Sequence, residues 1–148
     1  METVHTLSLQ IAITGEERQK AINLLQKSQL PVSDLDDDKL LYLLKESDRT
    51  IGTAGLEVMD DCGLLRSVSI IKQEQRKGYG KFLVDAMESY ARESGITCLY
   101  LLTTAARDFF DKQGYCVIKR EDAPEVIKQT SEFLSLCSST AIVMKKRL

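Results

Sequence analysis

The feature that most constrains this chain is one transition in its middle. The apolar run Leu64-Leu65-Arg66-Ser67-Val68-Ser69-Ile70 has strand character. A short polar loop carries it into Gly78-Tyr79-Gly80, where a long amphipathic pattern opens with Phe82, Leu83, Ala86, Met87, Tyr90 and Ala91 at helical spacing. A strand that feeds a glycine-bearing helix start calls for a sheet with a helix packed on it. Such a start also attracts anions: its first N–H groups have no intrahelical partner, and the helix dipole favours negative charge there. Gly78 and Gly80 let the backbone approach a ligand without a Cβ in the way, and Arg76, Lys77 and Lys81 add positive charge. The segment reads as a diphosphate cradle.

The remaining elements are ordered around it. Residues 4–13 alternate apolar with polar side chains, as a half-buried strand does. Thr14 suits the cap of a helix bearing Ala21, Ile22, Leu24 and Leu25; Glu16 and Glu17 suit its positive end, and Pro31 stops it. The acidic stretch 34–38 reads either as a solvated loop or as a face for a cationic substrate. Runs at 40–44, 50–59 and 64–71, separated by polar turns at 46–48 and 60–63, predict antiparallel hairpins. Gly95 stops the helix over 78–94, and the continuous apolar run 96–102 is that of a buried strand. A helix over 105–113 closed by Gly114, a strand over 115–119, a helix over 125–130 opened by Pro124 and a strand over 140–144 complete the chain. The sum is a mixed α/β sheet, antiparallel at first, with a strand–helix–strand crossover later, in one domain over 1–148.

Charge and cysteine usage narrow the function classes. Twenty basic residues against 22 acidic ones leave a formal charge of −2 on 148 residues, which gives no bulk reason to expect nucleic acid or an anionic membrane as partner. The N-terminus lacks the basic and apolar regions of a signal peptide, so a cytoplasmic protein is expected. Cys62, Cys98, Cys116 and Cys137 show none of the short spacings of a zinc site or redox pair, and no metal is expected. Cys98 and Cys116, in apolar runs, read as small core residues. The only histidine, His5, is too near the terminus to make a Cys–His or Ser–His nucleophile attractive.

Spacing discriminates among nucleotide cradles. No segment has the four residues between glycine and Gly-Lys that a P-loop needs, and position 83 is leucine where the dinucleotide fingerprint needs its third glycine. What is present, Gln75-x-x-Gly78-x-Gly80, resembles the Gln/Arg-x-x-Gly-x-Gly/Ala motif of the GCN5-related N-acetyltransferase superfamily. Phe109-Phe110-Asp111-Lys112-Gln113-Gly114-Tyr115 is similar to the second block of that superfamily. Within it, Gly63-Leu64-Leu65-Arg66-Ser67-Val68, Leu99-Tyr100-Leu101-Leu102-Thr103-Thr104 and residues 132–141 resemble the arsenic-resistance N-acetyltransferase subfamily, with Ser138 where a proline is usual. This finer resemblance covers roughly residues 50–148.

The resemblance implies acetyl-CoA as co-substrate and acetyl transfer to an amine by direct attack on the thioester. It places pantetheine contacts at Val68 and Ile70, the diphosphate on the segment Gln75, Arg76, Lys77, Gly78, Tyr79, Gly80 and Lys81, and Phe110 against the pantetheine. Glu57 becomes the candidate base, and a backbone N–H near Val68 the group that polarises the carbonyl. The tyrosine that often serves as acid is replaced by Phe110, which leaves Tyr115 (more simply a core residue), Ser135, Cys137, water or no acid at all. Arg66, an arginine inside an apolar strand, either clamps a substrate carboxylate or pairs with Glu57. Arg107 is a further anion contact, and Ser135 and Cys137 are candidate substrate contacts. The expected partner is a small amine, an amino-acid-like one, with a homodimer left open. Acetylation of a protein or peptide amine, or non-catalytic sensing of CoA, are the competing readings.

Overall fold

The computed structural model describes residues 7–12, 14–28, 30, 40–136 and 140–148. His5, Pro31, the acidic stretch 34–38, Cys137 and Ser138 lie outside the described residues. Seven strands hydrogen-bond in the order β1-β2-β3-β4-β5-β7-β6. They are β1 (Leu7–Ile11), β2 (Leu40–Glu46), β3 (Arg49–Met59), β4 (Cys62–Ile70), β5 (Cys98–Thr103), β6 (Cys116–Ile118) and β7 (Ile142–Arg147). The helices are α1 (Gly15–Lys27), α2 (Tyr79–Glu93), α3 (Arg107–Lys112) and α4 (Glu125–Lys128). The mixed α/β sheet expected from the sequence is present, and β4 and β5 form its parallel pair. The chain divides into two compact units, one of Met1–Gly55 with Ser67–Ala86, the other of Leu56–Arg66 with Met87–Leu148.

In the first unit β1 pairs antiparallel with β2, from Leu7↔Glu46 to Ile11↔Tyr42. The α1 start follows from sequence chemistry: Thr14 Oγ1 accepts from the Glu17 N–H at 3.1 Å, and Glu17 Oε1 accepts from the Thr14 N–H at 3.0 Å. This capping box satisfies two orphan donors at once. The helix buries Ala21 and Leu25 with Ala12, Leu41 and Leu43. Leu25 has no exposed surface, and burial of a leucine contributes about 2 kcal/mol. Gly52 marks a close approach in β3: a Cβ there would stand 2.7 Å from Ile70 Cδ1 and 2.8 Å from the Ser69 carbonyl.

In the second unit the β4–β5 ladder covers Cys62↔Cys98, Gly63↔Leu99 and Leu64↔Tyr100. β7 lies antiparallel to β5 and to β6. Cys62, Leu64, Tyr100, Ala123 and Ile127 form one core cluster, with Phe133 and Leu102 packed on it. β7 extends through Lys145, Lys146 and Arg147, past the expected end at 144, because it pairs with β5 as far as Cys98↔Arg147; Lys146 Nζ lies 2.9 Å from Glu88 Oε1 and 2.8 Å from the Gln113 carbonyl. Cys116 corrects an expectation. It is exposed, not core, because β6 is the edge strand and turns its first two residues to solvent. Among the described residues no helix is long and apolar enough to cross a membrane.

Candidate active site

The cradle is built in the first unit. β4 ends in a 3-10 turn over Lys72–Glu74, and α2 begins at Tyr79. Gln75 Nε2 donates to the Ile70 carbonyl at 2.9 Å, which ties the motif's first residue back to the strand. Glu74, buried beneath the loop, accepts from Lys77 Nζ and Arg49 Nη1, each at 2.9 Å. Those bonds, Lys77 first, hold its carboxyl below the usual glutamate value of 4.5 against the opposing effect of desolvation. The backbone then passes through left-handed residues at Arg76 (φ +68°) and Gly78 (φ +85°). A Cβ on Gly78 would meet no protein atom within 4 Å, so glycine answers to the backbone angle and leaves open space in front of the helix start.

The charges of the cradle are distributed less simply than the sequence implies. Lys77 is paired with Glu74, and Lys81 Nζ lies 2.7 Å from Asp85 Oδ2. The Tyr79 hydroxyl donates to Glu46, whose carboxylate raises the phenol's pKa. Arg76 is exposed and, among the described residues, has no carboxylate partner. The donors available to a diphosphate include the first-turn amides of α2, the Arg76 guanidinium and the Lys81 ammonium, whose solvent-exposed pairing with Asp85 is weak in water. That set, with open space at Gly78, fits the diphosphate of CoA.

Upstream, β4 contains a residue that sequence reasoning had no means to single out. Ser67 adopts φ +57° within the strand, the conformation of a β-bulge residue. Thr53 Oγ1, on β3, donates to the Ser67 carbonyl at 2.8 Å. The parallel ladder stops at Leu64, before this kink, while β4 continues to the half-buried Val68 and Ile70.

A charge cluster lies in the second unit. Arg66 Nη1 is 3.0 Å from Glu57 Oε2, and Arg66 Nε is 3.1 Å from Glu132 Oε2. The side chains are 1%, 13% and 5% exposed for Arg66, Glu57 and Glu132. Two carboxylates share one guanidinium, so the cluster carries a formal charge of −1. No buried side-chain nitrogen or oxygen among the described residues lacks a partner, so the cluster's desolvation is offset by charge-assisted bonds. The pairing of Arg66 with Glu57 is one of the two arrangements the sequence allows. Glu132, on a π-helical turn over Glu132–Leu136, is the member it does not suggest.

Phe110 is buried, edge-on to Phe109 and to Tyr115 with ring centroids at 5.0 Å and 5.5 Å. The Tyr115 hydroxyl donates to Glu88 Oε2 at 3.0 Å, and Lys146 Nζ bonds the same carboxylate. Tyr115 is 1% exposed. Arg107 is the exposed first residue of α3. Ser135 lies on the π-helical turn, and Cys137 lies outside the described residues.

A mixed seven-stranded sheet whose parallel pair, β4 and β5, is connected through α2 defines the class: an acyl-CoA N-acyltransferase fold. Residues 6–115 match the model of the Acetyltransferase (GNAT) family, and the chain belongs to that family. It is an N-acetyltransferase of the GNAT type. A Bacillus subtilis protein described as an acetyltransferase is 30% identical over 116 residues, covering 73% of this chain and 78% of the relative. The N-acetylglutamate synthase of Neisseria gonorrhoeae, complexed with coenzyme A and L-arginine, matches with a TM-score of 0.80 at 20% identity. That match covers 96% of this chain but 33% of the synthase, so the chain spans about a third of that protein. A GNAT-family acetyltransferase from Staphylococcus aureus matches with a TM-score of 0.77 at 18% identity, over 97% of this chain and 99% of the other.

Proposed function

We propose that the acceptor is the primary amine of a small, amino-acid-like molecule, and that residues 1–148 form one catalytic domain. The observation that carries the acceptor reading is the Arg66 cluster, whose net negative charge and half-buried Glu57 suit an incoming ammonium group. The structural likeness to an N-acetylglutamate synthase supports an amino-acid acceptor. The family match runs through both compact units, which supports a single domain. The resemblance of residues 63–68, 99–104 and 132–141 to the arsenic-resistance subfamily makes an arsenical or phosphorus-containing amino acid the first acceptor to test.

Acetyl-CoA, when bound, supplies an activated thioester. On the donor side the first-turn amides of α2 and Arg76 hold the diphosphate, and the backbone of Val68 and Ile70 pairs with the pantetheine arm as an added strand. The Val68 N–H polarises the thioester carbonyl. On the acceptor side Glu57 takes the ammonium proton, and the free amine attacks the carbonyl carbon. Arg66 holds the Glu57 carboxylate in place; a substrate carboxylate that reached Arg66 would compete with Glu132. With Tyr115 bonded to Glu88, the C–S bond breaks without a protein acid: the thiolate leaves, which its modest basicity allows near neutral pH, and the second proton of the attacking nitrogen passes to solvent.

The test is CoA release from acetyl-CoA across a panel of free amino acids, their N-methylated forms and short peptides. Turnover on amino acids with a free amine, lost on N-methylation, is expected. Turnover on peptides alone, or CoA binding with no turnover on any amine, would overturn the acceptor assignment.

A further inference from the structure

The first unit holds a cleft of about 920 Å³, lined in part by Ile70 and Gln75 of the donor side, whose cationic wall the acetyl-transfer reading does not use. Its walls are α1 and the junction of β4 with the 3-10 turn, and the Ser28 and Ser69 hydroxyls, 2.5 Å apart, join them. Four cationic side chains line it: Lys20, Lys27, Arg49 and Lys72. Among the described residues no aspartate or glutamate lines it. In a chain whose acidic residues outnumber its basic ones, 22 to 20, that segregation of sign is not the composition of an average surface.

The four cations differ in availability. Arg49 is bound to Glu74 at 2.9 Å and keeps donors to spare on its guanidinium. Lys20 lies 4.0 Å from the exposed Glu16, a pairing of little strength in water. Lys27 and Lys72 have no carboxylate partner among the described residues. Asn23 and Gln73 add neutral donors, and Leu24, Ile70 and Ile71 add an apolar wall. Two ammonium groups without a carboxylate partner among the described residues, one from each wall, line a single space with amide donors. A helix dipole explains a lysine at the end of α1. It does not explain Lys72 opposite.

We propose that this cleft is an anion site for a small molecule carrying a dianionic oxyanion group, beside the diphosphate cradle and sharing the Gln75 wall with it. The group belongs either to the acceptor itself or to a free ion that acts on the enzyme. The probe is inorganic phosphate, titrated into the full-length chain saturated with CoA and followed by amide chemical shifts. Saturable shifts clustered at residues 23–28 and 70–75 are expected. In the Lys27→Ala/Lys72→Ala variant phosphate should bind about tenfold more weakly, as the loss of two charge contacts implies, with CoA affinity unchanged. Phosphate that raises the KM for the acceptor at constant kcat assigns the group to the acceptor, and phosphate that changes kcat assigns it to a free effector. Three results overturn the site: no saturable binding, binding indifferent to the double substitution, or displacement of phosphate by CoA, which would make the cleft part of the donor site. Binding is read without turnover, so failure of the acceptor assignment and failure of this one are distinguishable.

Discussion

Arg66 and Glu57 face each other across neighbouring strands, Nη1 to Oε2 at 3.0 Å, with the guanidinium almost wholly buried and the carboxylate partly open. An arginine in that setting costs more to bury than a neutral residue and is held there by its partners. The partly open carboxylate is the group suited to proton transfer. Glu57→Gln should preserve the fold and lower kcat/KM about a hundredfold at pH 7 and below, where the acceptor amine is protonated. The two enzymes should converge as pH rises toward the amine's own pKa. A pH–rate profile checks this, and an equal loss at every pH would show that Glu57 is not the base.

Glu132 is assigned a positioning part, acting through Arg66. Glu132→Ala removes one partner of a buried pair and should cost about 3 kcal/mol in denaturant unfolding. Stability alone would not separate positioning from packing. The informative variants are Glu132→Gln, expected to lower kcat with CoA affinity unchanged, and Glu132→Asp, expected to recover part of kcat. A parallel fall in kcat and CoA affinity would mark a merely structural residue.

These two residues also show where a linear reading reaches its limit. The β4–cradle–α2 segment is legible because its signals are local: an apolar strand, left-handed glycine and helical spacing all fall between residues 64 and 91. Thr14, with Glu17 three residues on, spells out its own cap. Glu132 carries no such signal, since its partner is distant in the chain and the π-helical turn that presents it has no sequence signature. Lys146 and Glu88, 58 residues apart, pose the same problem, and the β5–β7 ladder that carries β7 on to Arg147 is equally non-local. Cys116 lies in an apolar run, but an edge strand buries fewer of its residues than periodicity implies.

Gly78→Val tests the cradle. Valine at φ +85° is strained by about 1–2 kcal/mol, and its side chain would occupy space that no protein atom fills. Acetyl-CoA affinity should fall more than about tenfold while the melting temperature falls by only a few degrees. Unchanged affinity would remove the diphosphate from this loop.

Glu74 predicts a pH dependence with a definite sign. Its carboxyl is held below 4.5 in the folded chain, chiefly by Lys77. It therefore contributes stability above its unfolded value, and that contribution disappears as pH falls through the lower folded value. Glu74→Gln should be less stable than the parent at neutral pH, and the two proteins should approach each other on acidification below 4.5. Denaturant unfolding across that range checks the slope; parallel curves would mean that Lys77 and Arg49 do not act on this carboxylate.

The kink at Ser67 links stability to cofactor binding most directly. A serine in the left-handed region costs about 1 kcal/mol or more, so something must hold it there. The buried Thr53 hydroxyl is 2.8 Å from the Ser67 carbonyl and is the group placed to do so. Thr53→Val keeps the shape of the side chain and deletes that donor. It should lower stability by about 1–3 kcal/mol, the cost of leaving a buried carbonyl short of a partner. If the kink presents the Val68 and Ile70 backbone to pantetheine, the same variant should weaken CoA binding. Thr53→Ser, which retains the hydroxyl, should retain affinity. Loss of stability without loss of affinity would confine Thr53 to folding and remove the kink from the binding argument.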